Sequence, residues 1–110
     1  MIIIDLSKIT SYSEFTEKFI NEFKIILKDK QNTKRVVCSS QASMFFSDIE
    51  DFHIESKEVN KDKQKYFGRL NGVEFYTSSY LKLYEPEFHL YDENSNQIES
   101  YRTLSSSELI

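Results

Sequence analysis

The stretch Phe67-Gly68-Arg69-Leu70-Asn71-Gly72-Val73-Glu74-Phe75-Tyr76 sets the frame for the whole chain. Asn-Gly tolerates the positive φ angles of a type I′ turn, and that turn matches the twist of paired strands. A two-residue loop at Asn71-Gly72 sets Leu70 opposite Val73, Arg69 opposite Glu74 and Gly68 opposite Phe75. Leu70, Val73 and Phe75 then share one face, and Gly68 leaves space for the Phe75 ring. Arg69 and Glu74 become a cross-strand ion pair on the other face. An antiparallel pair is therefore expected here, with the rest of the chain packed around it.

Upstream, Tyr12, Phe15, Phe19, Phe23, Ile26 and Leu27 recur at steps of three and four. That spacing predicts an amphipathic helix near residues 12–29. Ser11 and Glu14 have the spacing of a capping box. Lys28 and Lys30 suit the negative helix end, and Gln31-Asn32-Thr33 ends it. Arg35-Val36-Val37-Cys38 is a short apolar run, read as a buried strand. Ser39 and Ser40 are both possible caps for a second helix, with Ala42, Phe45 and Ile49, and further Met44 and Phe52, on its buried side. Residues 55–65 are polar and read as an exposed loop. Ile2 to Ile4 is β-branched, a short strand or an anchored extended start.

Downstream, Tyr84-Glu85-Pro86 reads as a turn before Glu87-Phe88-His89-Leu90-Tyr91. That run alternates, with Phe88 and Leu90 inward and His89 and Tyr91 outward. Asn94-Ser95-Asn96 is a turn, and Gln97 to Arg102 returns as an edge strand. The expected fold is a single small α+β domain over residues 1–102. It has a mixed or antiparallel sheet of about four or five strands and two packed helices. Residues 103–110 are expected to form a flexible tail.

Composition bounds the function. With 110 residues and 13.1 kDa the chain has room for one domain. Nine Phe and seven Tyr supply the core. One Cys excludes an internal disulfide and a cysteine-only zinc site. No run approaches the roughly 18 apolar residues of a membrane span. A net charge of −4 counts against general nucleic-acid binding. The charge is uneven, with five basic residues and one acid from Lys24 to Arg35, and six acids and one Arg from Glu85 onward. A basic flank and an acidic tail can pair within one molecule or between copies, although solvated faces explain them as well.

Chemistry-bearing residues are sparse. His53 and His89 are the two histidines and have no helical ligand spacing. Cys38 precedes a helix, where a thiol pKa can fall, but no base or orienting group stands at a recognisable spacing. Asp48, Glu50, Asp51 and Glu55 lack the pattern of a calcium loop. Tyr76-Thr77-Ser78-Ser79-Tyr80-Leu81-Lys82-Leu83-Tyr84 is an aromatic and hydroxyl run suited to a protein interface or, less well, to a single nucleic-acid strand.

The order helix, strand 35–39, helix, polar excursion and then Gly68 to Leu81 resembles the axial (A) domain of tailed-phage major capsid proteins, the HK97-like fold. That family carries a segment of the form Gly-x-Leu-x-Gly-apolar-x-Val-Tyr followed by Tyr-Leu or Tyr-Ala. Here Gly68-Arg69-Leu70-Asn71-Gly72-Val73-Glu74-Phe75-Tyr76 and Tyr80-Leu81 stand in those places. The likeness spans roughly residues 12–92. A chain of this length has no room for the spine helix, extended loop and N-terminal arm of a shell protein. The resemblance therefore implies an isolated capsid-like domain of phage or prophage origin, in the host cytoplasm or the virion, working by protein–protein contact. No catalytic residue, cofactor, metal or small-molecule substrate comes with it. The expected partner is a protein: another copy, a virion component or a capsid-sensing host factor. The contact residues expected are Tyr76, Tyr80, Lys82 and Tyr84, the Arg69 and Glu74 face, and Lys61, Lys63 and Lys65. The alternative is a small phage-encoded inhibitor of a host nucleic-acid enzyme or defence system, its acidic C-terminal part mimicking phosphates. Replacing Tyr80 and Tyr84 by Ala should weaken partner binding in a pull-down while circular dichroism stays unchanged. Loss of the fold would instead place them in the core.

Overall fold

A computed structural model describes residues 1–6, 8–56, 63–82 and 85–103. The elements run β1 (Ile2–Ile4), α1 (Tyr12–Asp29), β2 (Arg35–Cys38), α2 (Ser40–Ser47), β3 (His53–Ile54), β4 (Gln64–Leu70), β5 (Val73–Ser78), β6 (Glu87–Tyr91) and β7 (Gln97–Thr103). The strands form one seven-stranded mixed sheet in the order β1-β7-β6-β2-β5-β4-β3. Among the described residues no helix is long and apolar enough to cross a membrane.

The hairpin follows the expected register, with Leu70 opposite Val73, Arg69 opposite Glu74 and Gly68 opposite Phe75. Asn71 and Gly72 take the positive φ angles of 51° and 80° that the turn requires. The space at Gly68, however, is filled from β3 and the residue before it. A Cβ there would stand 2.4 Å from the Phe52 ring and 2.5 Å from the His53 carbonyl oxygen.

The sheet is wider than four or five strands for two reasons. The chain start pairs in parallel with β7, Ile4 lying opposite Thr103. The two-residue β3 adds to β4 through His53–Arg69 and Ile54–Gly68. β7 is therefore an interior strand and not an edge, and it runs to Thr103, one residue past the expected domain boundary. Gln64 and Lys65, read as loop, begin β4. Residues 57–62, the middle of that loop, and the tail residues 104–110 lie outside the described residues.

Both helices cover the same face. Ser11 caps α1 by accepting the Glu14 N–H at 3.2 Å. Phe15, Phe19 and Phe23 are its buried stripe, and Tyr12, expected on that stripe, is exposed. Ser39 caps α2, accepting the Ala42 N–H at 3.3 Å and the Glu87 N–H at 3.1 Å, and its hydroxyl donates to the Glu85 carbonyl. Short as it is, α2 is buried on two sides. Phe45 meets Phe15 and Phe19 of α1, at ring-centroid distances of 6.0 and 5.2 Å. Phe46 meets Phe23 of α1 at 4.3 Å and Phe75 and Phe88 of the sheet at 5.4 and 5.6 Å.

Helical periodicity from Ala42 suggests one buried face and passes over Phe46, yet Phe46 lies at the centre of the aromatic core. Met44, expected on the buried side, is 61% exposed. Phe46→Ala should therefore cost about 3–5 kcal/mol in urea unfolding. Met44→Ala should stay within about 0.5 kcal/mol. The reverse order would place the core on the wrong side of α2.

Candidate functional site: the uncovered face of the sheet

Alternation sends Val36 and Cys38 of β2, Phe75 of β5, and Phe88 and Leu90 of β6 to the helix side. Their neighbours point to the face that neither helix covers. Arg35 lies between Glu74 of β5 and Tyr91 of β6, and Val37 lies between Tyr76 and His89. The Arg35 guanidinium carbon is 4.9 Å from the Tyr91 ring centroid and 5.8 Å from that of Tyr76. Tyr76 in turn meets Tyr66 of β4 edge-on at 5.3 Å. A row Tyr91, Arg35, Tyr76, Tyr66 thus crosses four adjacent strands. Val37 is only 4% exposed although no helix covers it.

The row is tied down at Tyr66 and at Tyr76. The Tyr66 hydroxyl donates to Glu55 Oε1 at 2.6 Å, and Arg69 Nε stands 3.4 Å from the same oxygen. The Tyr76 hydroxyl donates to Glu74 Oε1 at 3.3 Å. On β6, His89 and Glu87 share a hydrogen bond of 2.6 Å. Arg35 differs from these. Its Nε is buried and has no hydrogen-bond partner among the described residues. The two ring faces beside the guanidinium attract a cation.

The expected contact residues divide. Arg69, Glu74 and Tyr76 come together on this face. Arg69 lies opposite Glu74 as expected, but its ion pair is with Glu55 and not with Glu74, because Glu55 follows β3 on the other side of β4. Tyr80, 75% exposed, and Lys82 lie beyond the end of β5, where Lys82 pairs with Glu85 at 3.6 Å. With Met1, Glu87 and Arg102 they line a shallow cavity of about 450 Å3. Lys65 alternates with Tyr66 and so points to the opposite side, and Lys63 is an exposed turn residue. Lys61 and Tyr84 lie outside the described residues.

Arg35, Tyr66, Tyr91 and Glu55 were not among the expected contact residues. Tyr91 was read as outward, but its place beside Arg35 depends on β6 pairing with β2, 56 positions apart at Arg35 and Tyr91. No local pattern reports such a distant register.

Cys38 is fully buried, and burial pushes its thiol well above the ordinary range, not below it as the helix start suggested. Among the described residues no group of three or more His, Cys, Asp or Glu is placed to hold a metal ion. The C-terminal acids are dispersed. Glu87 is engaged with His89, and Asp92 accepts the N–H groups of Asn94 and Asn96 within its own turn.

Burial, first, and the hydrogen bond to Glu55, second, raise the Tyr66 phenol above its ordinary pKa. Burial also raises that of Tyr101. A raised folded pKa gives stability that is complete below the unfolded phenol value near pH 10 and lost as pH climbs beyond it. Urea stability should therefore fall above about pH 10. Tyr66→Phe, which has no phenol proton to lose, should flatten that fall, leaving the part due to Tyr101. An unchanged alkaline limb would remove Tyr66 from the buried layer.

Comparison with known proteins finds no matching family model, no matching curated protein and no matching solved structure.

Proposed function

We propose that the protein is a non-enzymatic phage or prophage protein that binds another protein through the face of its sheet opposite the two helices. The observation that carries this reading is the run of partly exposed Tyr91, Arg35 and Tyr76 on that face, backed by the buried Tyr66. Tyr and Arg are the side chains that most often dominate binding energy at protein interfaces. Tyrosines set on paired strands lose little freedom on binding, which lowers the entropic cost of association. The half-buried guanidinium of Arg35 favours a partner that offers a carboxylate or carbonyl oxygen. The phage origin rests on the likeness of Gly68 to Leu81 to capsid A domains. That likeness also favours a partner from the same setting: a second copy, a virion protein or a host factor that senses capsids.

Size-exclusion chromatography with light scattering, over a range of concentrations and at two salt levels, separates these partners. A ring-sized species makes the partner a second copy, and a strict monomer makes it foreign. A double variant, Tyr76→Ser with Tyr91→Ser, then tests the face. It should dissociate the assembly, or lose the proteins retained from phage-infected cells, with circular dichroism unchanged. A folded double variant that keeps its mass and its retained proteins would move the binding surface elsewhere.

A further inference from the structure

A cleft of about 560 Å3 opens on the helix side of the sheet, at the end that carries the β4–β5 turn. Its floor is aliphatic, with Leu27 and Val73 partly exposed over the buried Ile49 and Leu70. Lys24 and Lys28 of α1 and Lys34, just before β2, stand on one part of its rim. Glu50 and Asp51, in the turn after α2, stand on another.

The charges are not matched to one another. Lys30, also at the rim, pairs with Asp29 at 3.6 Å. Among the described residues, Lys24, Lys28 and Lys34 have no carboxylate within 4 Å, and Glu50 and Asp51 have no ammonium or guanidinium within that distance. Both signs are therefore open to a ligand's own charged and polar groups. The negative end of α1 accounts for Lys28 and Lys30. It does not account for Lys24, a turn further back, or for Lys34, beyond the α1–β2 turn.

We propose that this cleft binds a nucleoside monophosphate. The phosphate lies among Lys24, Lys28 and Lys34, whose ammonium groups act as point charges for it. The ribose hydroxyls donate to Glu50 and Asp51. The base covers the aliphatic floor. The volume falls within the range of small-molecule sites, which run from about 300 to 1,000 Å3. Three ammonium groups balance the charge of about −2 that a single phosphate carries. Inorganic phosphate alone leaves the floor in water, and a nucleoside alone leaves the lysines unmet. This site is separate from the uncovered face, so the two assignments fail independently.

The test is a titration of nitrogen-15-labelled protein with AMP, followed by backbone amide shifts. Adenosine, inorganic phosphate and the dipeptide Gly-Phe are the comparison ligands. Saturable shifts are expected at Leu27, Ile49, Gly72 and Val73, with AMP binding about tenfold or more tighter than adenosine or phosphate. A Lys24→Ala, Lys28→Ala double variant should lose about tenfold in AMP affinity and keep its adenosine affinity. Both lysines are exposed, and the amide spectrum of the variant reports whether it folds. Phosphate binding as tightly as AMP, the dipeptide binding more tightly, or no saturable shift at millimolar AMP would each overturn the proposal.

Discussion

Both helices lie on one side of the sheet, and much of the structure follows from that constraint. β1 and β2 point the same way and are joined through α1, while β2 and β3 point the same way and are joined through α2. Both connections run in the same direction across the sheet. Parallel crossovers share one hand, so their helices share one face. That face takes Phe19, Phe23, Phe46, Phe75 and Phe88, each with no or almost no exposure. At roughly 1.5–3 kcal/mol for each buried side chain, this layer carries much of the folding free energy. The other face has no helix over it among the described residues. Tyr91, Arg35, Tyr76 and Tyr66 lie edge to edge there, beside a Val37 that is nearly inaccessible. The same side chains that serve as a cover form a surface rich in tyrosine and arginine.

A second constraint sets which strands meet. The chain leaves β5 and enters β6 on the far side of β2, so the connection crosses the end of β2. Ser39 sits at that crossing. Its one hydroxyl serves the Ala42 N–H, the Glu87 N–H and the Glu85 carbonyl. It therefore joins the start of α2 to the start of β6. The crossing puts Tyr91 beside Arg35 at the opposite end of the same strands. The tyrosine-rich face is thus a product of topology as much as of residue type. The lysine-lined cleft has the same origin, since the end of α1, the β4–β5 turn and the turn after α2 meet only in the folded chain.

Local chemistry in the sequence determined the local elements. The aromatic spacing from Phe15 to Phe23 and the Ser11 cap define α1, because a helix repeats every 3.6 residues and needs an acceptor at its start. Asn71-Gly72 defines the β4–β5 register, because few residues tolerate two successive positive φ angles. The alternation of Phe88 and Leu90 defines the inward face of β6. Contacts between distant segments were decided only by the tertiary structure. Two-residue β3 is too short to show a period, and β1 is a strand only because β7 lies beside it. Phe46 is buried because α2 is enclosed from two sides, which a one-faced pattern cannot express. Arg35 meets Tyr91, and Lys24 meets the same cleft as Asp51, through pairings dozens of residues apart. Sequence periodicity reports which side of an element is apolar, and it carries no record of which element will cover that side.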